Sequence, residues 1–242
     1  MAINKRSQIK SSPSGRGKEG AFAAIFDMDG TMVDNTPYHF KAWQTLFKKY
    51  DKGNLSREKY KAEISGVPIM DTVRMLFPDA DADFRKTIAH EKEQLYQEYY
   101  TPYIAPVNGL ENLLIELKDA GVKLAIASSA SIGDIDFVLS HVPVRQYFDV
   151  IIDGNRVSKG KPDPQIFLKA AADLHMRPDD CIVFEDSIAG IKAGNAAGMK
   201  VIGITTAHTA EQLQPSSLVV RDYTELSLQK LQALFGLRNR AV

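Results

Sequence analysis

Near its N-terminus the chain reads Ala21-Phe22-Ala23-Ala24-Ile25-Phe26-Asp27-Met28-Asp29-Gly30-Thr31. The apolar residues before Asp27 are typical of a short strand that is buried on both faces. Asp27 and Asp29 are two residues apart, so an extended chain directs both carboxylates to the same side. Gly30 allows the backbone to turn sharply after the strand. The stretch therefore predicts a buried strand that ends in two carboxylates.

Comparable apolar runs follow much later in the chain, and helical patterns separate them. The runs cover 122–127, 150–152, 182–184 and 201–204, and the helical patterns cover about 108–120, 131–141, 163–175 and 187–198. Alternating strands and helices indicate a parallel sheet with helices on both faces. We therefore predict an α/β fold.

The stretch from about 36 to 102, which follows the first strand, shows helical periodicity and no convincing strand. Thr36-Pro37 is typical of an N-cap followed by proline at the first helical position, and further helices are predicted at 56–64, 69–77 and 81–100. We expect an all-helical lid that is inserted after the first strand. The predicted division is a flexible tail at 1–20, a core at 21–35 and 104–242, and a helical cap at 36–103.

The composition excludes several classes of partner. The 242 residues include 30 basic and 30 acidic side chains, so the charge gives no footprint for nucleic acid or an anionic membrane. No segment approaches the roughly 18 apolar residues that span a bilayer. The single cysteine, Cys181, excludes an internal disulfide and favours a reducing compartment. We expect a cytoplasmic monomer that binds a small phosphorylated metabolite, with no nucleic-acid or membrane partner.

Polar residues follow four of the predicted strands. In an open parallel sheet, ligands bind outside the carboxyl ends of the strands, so these residues are expected to converge. They are Asp27 and Asp29, then Ser128 and Ser129, then Lys161, then Glu185 and Asp186.

Four carboxylates at one small site repel each other unless a cation lies between them. Oxygen ligands without nearby histidine or cysteine favour Mg²⁺ over Zn²⁺. A lysine and a hydroxyl facing the same point suit phosphoryl oxygens, so the site predicts phosphoryl transfer. One aspartate can attack phosphorus while the other moves the proton of the leaving oxygen. We assign the attack to Asp27, because it leads the motif at the strand end.

These segments resemble the four motifs of the haloacid dehalogenase superfamily of phosphatases and phosphomutases. Phe26-Asp27-Met28-Asp29-Gly30-Thr31-Met32-Val33-Asp34 resembles the first motif, and Ser128, Lys161 and Glu185-Asp186 match the other three in order. The resemblance covers about 21–235. It implies a Rossmann-like core with a small helical cap.

The resemblance also implies roles for these residues. Asp27 would be the nucleophile and Asp29 the general acid and base. The side chains of Asp27, Asp186 and Glu185 and the backbone carbonyl of Asp29 would hold Mg²⁺. Ser128 would bind the phosphoryl group and Lys161 would neutralise it. Members that cleave carbon–halogen bonds lack the second aspartate, so Asp29 argues against dehalogenation.

Within the superfamily, the chain is most similar to the β-phosphoglucomutase-like group. The likeness lies in Tyr38-His39-Phe40-Lys41-Ala42-Trp43, Gly66-Val67, Lys92, and Phe184-Glu185-Asp186-Ser187-Ile188-Ala189-Gly190-Ile191. The likeness makes four residues candidates for binding substrate, namely His39, Trp43, Gly66 and Lys92. Ser129, which follows Ser128, is a further candidate. The competing interpretations are that His39 lies on a helix surface, that Trp43 only packs in the interior, and that Lys92 is solvated. His90, His141, His175 and His208 have no assignable partners and are expected at the surface.

The cap loop of this chain differs from that of β-phosphoglucomutases, and the difference affects which activity we expect. β-Phosphoglucomutases carry basic residues on both sides of the cap-loop glycine, where Ser65 and Ile69 stand here. A mutase must hold a second phosphate, so we expect a Mg²⁺-dependent phosphatase acting on a small phosphomonoester, a sugar phosphate, through an aspartyl-phosphate. The alternatives are a β-phosphoglucomutase interconverting β-glucose 1-phosphate and glucose 6-phosphate, and a non-catalytic sensor of phosphorylated ligands.

Overall fold

A computed structural model describes residues 22–236, so the predicted tail at 1–20 lies outside the described residues. The core is a six-stranded sheet in the order β3-β2-β1-β4-β5-β6, and all neighbouring strands are parallel. The strands are β1 Ala23–Phe26, β2 Lys123–Ala127, β3 Val150–Ile152, β4 Cys181–Glu185, β5 Lys200–Ile204 and β6 Leu218–Val220. The predicted α/β fold with a parallel sheet is confirmed.

The described residues form nine α-helices. Five of them lie between the first two strands, and the first four of these form the helical segment. These four are α1 Thr36–Lys49, α2 Arg57–Glu63, α3 Ile69–Leu76 and α4 Ala82–Tyr100. The other five are α5 Leu110–Asp119, α6 Ile132–His141, α7 Gln165–Asp173, α8 Ile188–Ala196 and α9 Leu228–Ala233. None of these helices is long and apolar enough to cross a membrane, within residues 22–236.

The position of β1 between β2 and β4, in the middle of the sheet, explains why its sequence is apolar at every position. Its four residues are fully buried. Ala24 and Phe26 pack into one hydrophobic cluster, and Ala23 and Ile25 pack into a second one. Since successive strand residues point to opposite faces, the two clusters are the two covered faces of the sheet. Helices therefore pack on both sides of β1, as its lack of polar residues requires.

The helical segment α1 to α4 has a hydrophobic cluster of its own. Phe40, Trp43, Leu46 and Phe47 of α1 pack there with residues from the other three helices and their connections. A separate cluster is what a folding unit needs to bury its apolar surface. The predicted insert is helical, as the four helices α1 to α4 show. The boundaries of the domains stay a prediction.

Three local details differ from the expectations. Asn35, not Thr36, is the N-cap residue of α1, and it makes no side-chain cap hydrogen bond. Its amide instead donates to Asp29 and Tyr96, which no local pattern indicates. The short elements β6 and α9 were not predicted, because three and six residues carry little periodic signal.

Candidate active site

The carboxyl ends of β1, β2 and β4 lie level with one another. Phe26 is paired with Ile126 on one side and with Phe184 on the other. The amide of Asp27 donates to the carbonyl of Phe184 at 3.0 Å. The residues that follow these strands therefore meet at one edge of the sheet, where they line a cavity of about 330 Å³ beneath the helical segment.

Lys161 joins two of the strand-end carboxylates. Its ammonium donates to Oδ1 of Asp27 and to Oε1 of Glu185, both at 2.5 Å. The Lys161 side chain is 5 % exposed, so water screens these contacts little. Burial opposes the charge of Lys161, but the two carboxylates outweigh it and raise its pKa above the ordinary value.

Asp27, Glu185 and Asp186 form a buried carboxylate cluster. One oxygen from each lies within 4.8 Å of the others. Burial raises the pKa of Asp27 to about 7, with Glu185 and Asp29 adding to the shift and Lys161 opposing it. Burial, Glu185 and Asp27 also hold the pKa of Asp186 well above its usual range. One ammonium does not compensate three carboxylates, and an oxygen-only donor set of this kind fits a hard divalent cation such as Mg²⁺.

The orientation of Glu185 depends on the start of α8. Its Oε2 accepts from the backbone amide and the hydroxyl of Ser187, at 2.8 and 2.9 Å. The Ser187 hydroxyl also accepts from the amide of Gly190 and so caps the helix. A Cβ at Gly190 would lie 1.8 Å from Oε1 of Glu185. Glycine is therefore required there for the carboxylate to reach Lys161.

Asp186 is held from three directions. The hydroxyl of Thr31 donates to Oδ1 of Asp186 at 3.2 Å. Gly30 has φ +80°, and a Cβ there would lie 2.1 Å from Oδ2 of Asp186. Nδ1 of His208 lies 3.0 Å from the carbonyl of Asp186. The expectation that His208 has no partner was wrong, because the loop after β5 brings it back over the end of β4.

Asp29 has different partners from the other carboxylates. Its Oδ1 accepts from the amide of Asn35 at 2.5 Å, and Nε2 of His39 lies 3.9 Å from the same oxygen. Burial opposes its ionisation, but the neighbouring His39 and Asn35 and the charge of Lys92 outweigh burial and hold the pKa of Asp29 below its ordinary value.

His39 lies between Asp29 and Lys92. Nζ of Lys92 is 2.7 Å from Nδ1 of His39. An ammonium can only donate, so Nδ1 accepts and the proton of the neutral ring is on Nε2, on the side of Asp29. Burial and Lys92 hold the pKa of His39 below its ordinary value. The ring also stacks on Tyr96, with centroids 3.8 Å apart.

The remaining predicted residues also line the cavity. Ser128 is buried, and its hydroxyl accepts from the amide of Ala130 at 3.1 Å. Ser129 and Gly66 contribute to the lining. Trp43 lines the cavity and also packs in the hydrophobic cluster of the helical segment. The structure thus brings every predicted site residue to this one cavity.

Several other side chains at the site were not among the predicted site residues, and four of them bear on its chemistry. They are Asn35, Tyr96, Glu93 and Asp134, of which the last three line the cavity and the first binds Asp29. Glu93 and Tyr96 share α4 with Lys92, at spacings of one and four residues. The four-residue spacing was the only signal that could have placed Tyr96 at the site. No signal in the sequence brings Asp134 of α6 to the same place.

Comparison with known proteins establishes the family. Residues 24–204 match the haloacid dehalogenase-like hydrolases. The chain belongs to this family. A β-phosphoglucomutase from Bacillus subtilis is 32 % identical over 86 % of this chain and 93 % of its own length. A validoxylamine A 7′-phosphate phosphatase from Streptomyces hygroscopicus subsp. limoneus is 32 % identical over 84 % of this chain and 94 % of its own length.

A solved structure agrees with these relatives. The crystal structure of a β-phosphoglucomutase from Clostridium difficile superposes with a TM-score of 0.80 at 28 % identity, covering 89 % of this chain and 97 % of that one. The chain is therefore a haloacid dehalogenase-like enzyme of the β-phosphoglucomutase-like group, as its motifs predicted.

Proposed function

We propose that the protein is a Mg²⁺-dependent phosphatase that hydrolyses the monoester of a small sugar phosphate through an aspartyl-phosphate intermediate. The observation that carries the proposal is the buried cluster of Asp27, Glu185 and Asp186 around Lys161, with Asp29 beside it on separate partners. Relatives named as phosphatases of phosphorylated carbohydrates and of fructose 1-phosphate support the substrate class.

The first chemical step uses Asp27 and Asp29. A carboxylate oxygen of Asp27 attacks phosphorus, and the bond between phosphorus and the sugar oxygen breaks with its electron pair on that oxygen. Because the pKa of Asp29 is low, Asp29 must first bind a proton, which it then passes to the leaving oxygen. In the second step, Asp29 accepts a proton from water as the water oxygen attacks phosphorus. The bond between phosphorus and the Asp27 oxygen breaks with its electron pair on that oxygen, which releases phosphate and restores the Asp27 carboxylate.

The other site residues stabilise charge. Lys161 and the Ser128 hydroxyl face the same cavity and suit the oxygens of the transferred phosphoryl group. Asp27, Glu185 and Asp186, with the backbone carbonyl of Asp29, would hold Mg²⁺, whose charge neutralises the phosphoryl oxygens and the carboxylates. The helical cap excludes bulk water when it closes over the substrate.

A second candidate is a β-phosphoglucomutase, which the similarity to two proteins of that name favours. The cavity lining weighs against it. Ser65 to Ile69 line the cavity, and no basic side chain occurs among these five residues. A mutase needs cations for the distal phosphate of its bisphosphate intermediate, so the cap loop favours hydrolysis.

The test is phosphate release from a panel of sugar phosphates, with Mg²⁺ or with EDTA, beside a coupled assay for conversion of β-glucose 1-phosphate to glucose 6-phosphate. We expect release that requires Mg²⁺ and no isomerisation. Isomerisation with little release would make the protein a mutase instead. Ligand binding without either reaction would make it a sensor. The monomeric state and the cytoplasmic location remain predictions from the sequence.

The role of Asp27 has its own test. Asp27→Asn removes the attacking carboxylate, so we expect phosphate release to fall to background. As a control, circular dichroism checks that the variant is folded. Substantial residual turnover in this variant would remove Asp27 as the nucleophile.

A further inference from the structure

The part of the cavity around Asp29 carries more negative than positive charge. Lys92 and Glu93 of α4 and Asp134 of α6 all line it, so the groups come from both the helical segment and the core. We call these three residues the leaving-group wall, because Asp29 is the proposed proton donor to the leaving oxygen. Two carboxylates and one ammonium give this wall a net negative charge.

The ammonium of Lys92 is already engaged. It donates to Nδ1 of His39 at 2.7 Å and to Oε1 of Glu93 at 2.9 Å. Lysine has three donor hydrogens, so one remains for a ligand. The Lys92 side chain is 5 % exposed and its charge faces Glu93 directly. Lys92 is therefore poorly suited to compensate the two negative charges of a second phosphate.

The two carboxylates of the wall offer acceptors. Oε2 of Glu93 is buried and has no hydrogen-bond partner among the described residues. The hydroxyl of Ser131 donates to Oδ2 of Asp134 at 2.6 Å, and no described residue donates to the other oxygen of that carboxylate. The buried Oε2 of Glu93 is costly without a donor, so a donor from the ligand is expected there.

The two carboxylates also influence each other. Burial raises the pKa of Asp134 to about 6, and the charge of Glu93 is the next largest cause. The two groups therefore lie close enough to repel across the space between the helical segment and the core. A ligand that donates hydrogen bonds to both relieves this repulsion, whereas an anionic ligand increases it.

We infer that the leaving-group wall selects substrates whose leaving group is uncharged and rich in hydroxyls, with Glu93 and Asp134 accepting hydrogen bonds from it. The inference rests on the proposed phosphatase function and narrows its substrate class to sugar or polyol monophosphates. Bisphosphates are rejected because their second phosphate would lie against two carboxylates.

The experiment compares kcat/KM for fructose 1-phosphate, fructose 6-phosphate and fructose 1,6-bisphosphate, with p-nitrophenyl phosphate as a substrate that lacks hydroxyls. We expect the better monophosphate to exceed the bisphosphate by at least about tenfold, since like charges a few ångström apart repel on this scale. The double variant Glu93→Gln/Asp134→Asn is expected to reduce that ratio to about threefold or less, because it removes both charges and keeps the shape.

The control variant is Glu91→Gln/Asp136→Asn. It changes two acidic residues on the same helices, but these pair with Lys49 and Arg145 outside the cavity lining. We expect the control to keep the wild-type ratio. Equal kcat/KM for monophosphate and bisphosphate in the wild type, or equal ratios in the two double variants, would overturn the inference. Failure to release phosphate from any substrate, p-nitrophenyl phosphate included, would instead overturn the proposed function and this inference with it.

Discussion

At the scale of single residues, Asp29 is distinguished from the other carboxylates by what surrounds it. Asp27, Glu185 and Asp186 share one cluster with Lys161, whereas Asp29 accepts from Asn35 and lies beside His39. A group that exchanges a proton must be able to gain and lose it without disturbing the metal ligands. The separate partners of Asp29 suit that role.

Asp29→Asn is expected to lower kcat by about 10²- to 10⁴-fold for sugar phosphates, because the leaving oxygen loses its proton donor. The loss should be smaller for p-nitrophenyl phosphate, whose leaving oxygen needs little protonation. Asp34→Asn is the control, since Asp34 lies on the same segment and is exposed. An equal loss for all leaving groups would contradict a role in protonation.

Gly190 gives a second prediction at this scale. Gly190→Ala places a methyl group 1.8 Å from Oε1 of Glu185, so the carboxylate must leave Lys161. We expect unfolding free energy to fall by about 1 to 3 kcal/mol from overpacking, and kcat to fall as well. Gly133→Ala is the control, because its methyl group would meet only the Ser131 hydroxyl, at 3.7 Å. Similar stability and activity in the two variants would refute the proposed constraint.

At the scale of elements, several contacts hold the helical segment over the sheet. One of them joins α2 to the loop after β5, where Nζ of Lys61 donates to the carbonyl of Ala207 at 2.8 Å. The same loop carries Thr206, whose hydroxyl donates to the carbonyl of Gly30. The contact of Lys61 therefore connects the helical segment to the loop that supports the end of β4, where the proposed metal ligands lie.

Lys61→Met is expected to favour the open cap and to raise KM by no more than about fivefold, because an exposed charged contact contributes about 1 kcal/mol or less. Steady-state kinetics with the preferred sugar phosphate measure the change. Lys59→Met is the control, since Lys59 lies on the same helix and contacts Phe47 within the cap. An identical KM in the wild type and in Lys61→Met would show that this contact does not hold the cap.

At the scale of the whole molecule, the proposed metal site would link stability to the divalent cation. The carboxylate cluster joins β1 to β4 at the centre of the sheet. Asp27 is distant in sequence from the adjacent pair Glu185 and Asp186, so we expect the unfolded chain to bind Mg²⁺ weakly. A cation that binds only the folded protein stabilises it by mass action.

Removing Mg²⁺ with EDTA is therefore expected to lower Tm. At a concentration 100 times Kd the cation contributes about 2.7 kcal/mol, and each kcal/mol shifts Tm by about 2 to 4 °C in a chain of this length. Asp186→Asn should lose most of the Mg²⁺-dependent shift, whereas Asp180→Asn, a half-buried position paired with Arg177 outside the cavity lining, should keep it. A Tm that is the same with and without Mg²⁺ would argue against this metal site.

The sequence by itself determined the order of the elements from β1 to β5 and the residues that follow the strand ends. Apolar runs such as Ala23 to Phe26 are local, and parallel strands must bring their carboxyl ends to one edge. Asp27, Ser128, Lys161 and the Glu185–Asp186 pair could therefore be placed together without coordinates. The family and its helical insert followed from the same four motifs.

Only the tertiary structure decided which side chains face each other across the cleft. The amide of Asn35, the ring of His208 and the carboxylates of Glu93 and Asp134 reach the site from separate elements. Their positions depend on how the helical segment packs on the core and on how the loop after β5 returns. Such contacts join residues that are distant in the chain, so no local pattern carries them, and it is these contacts that shape the space for the leaving group.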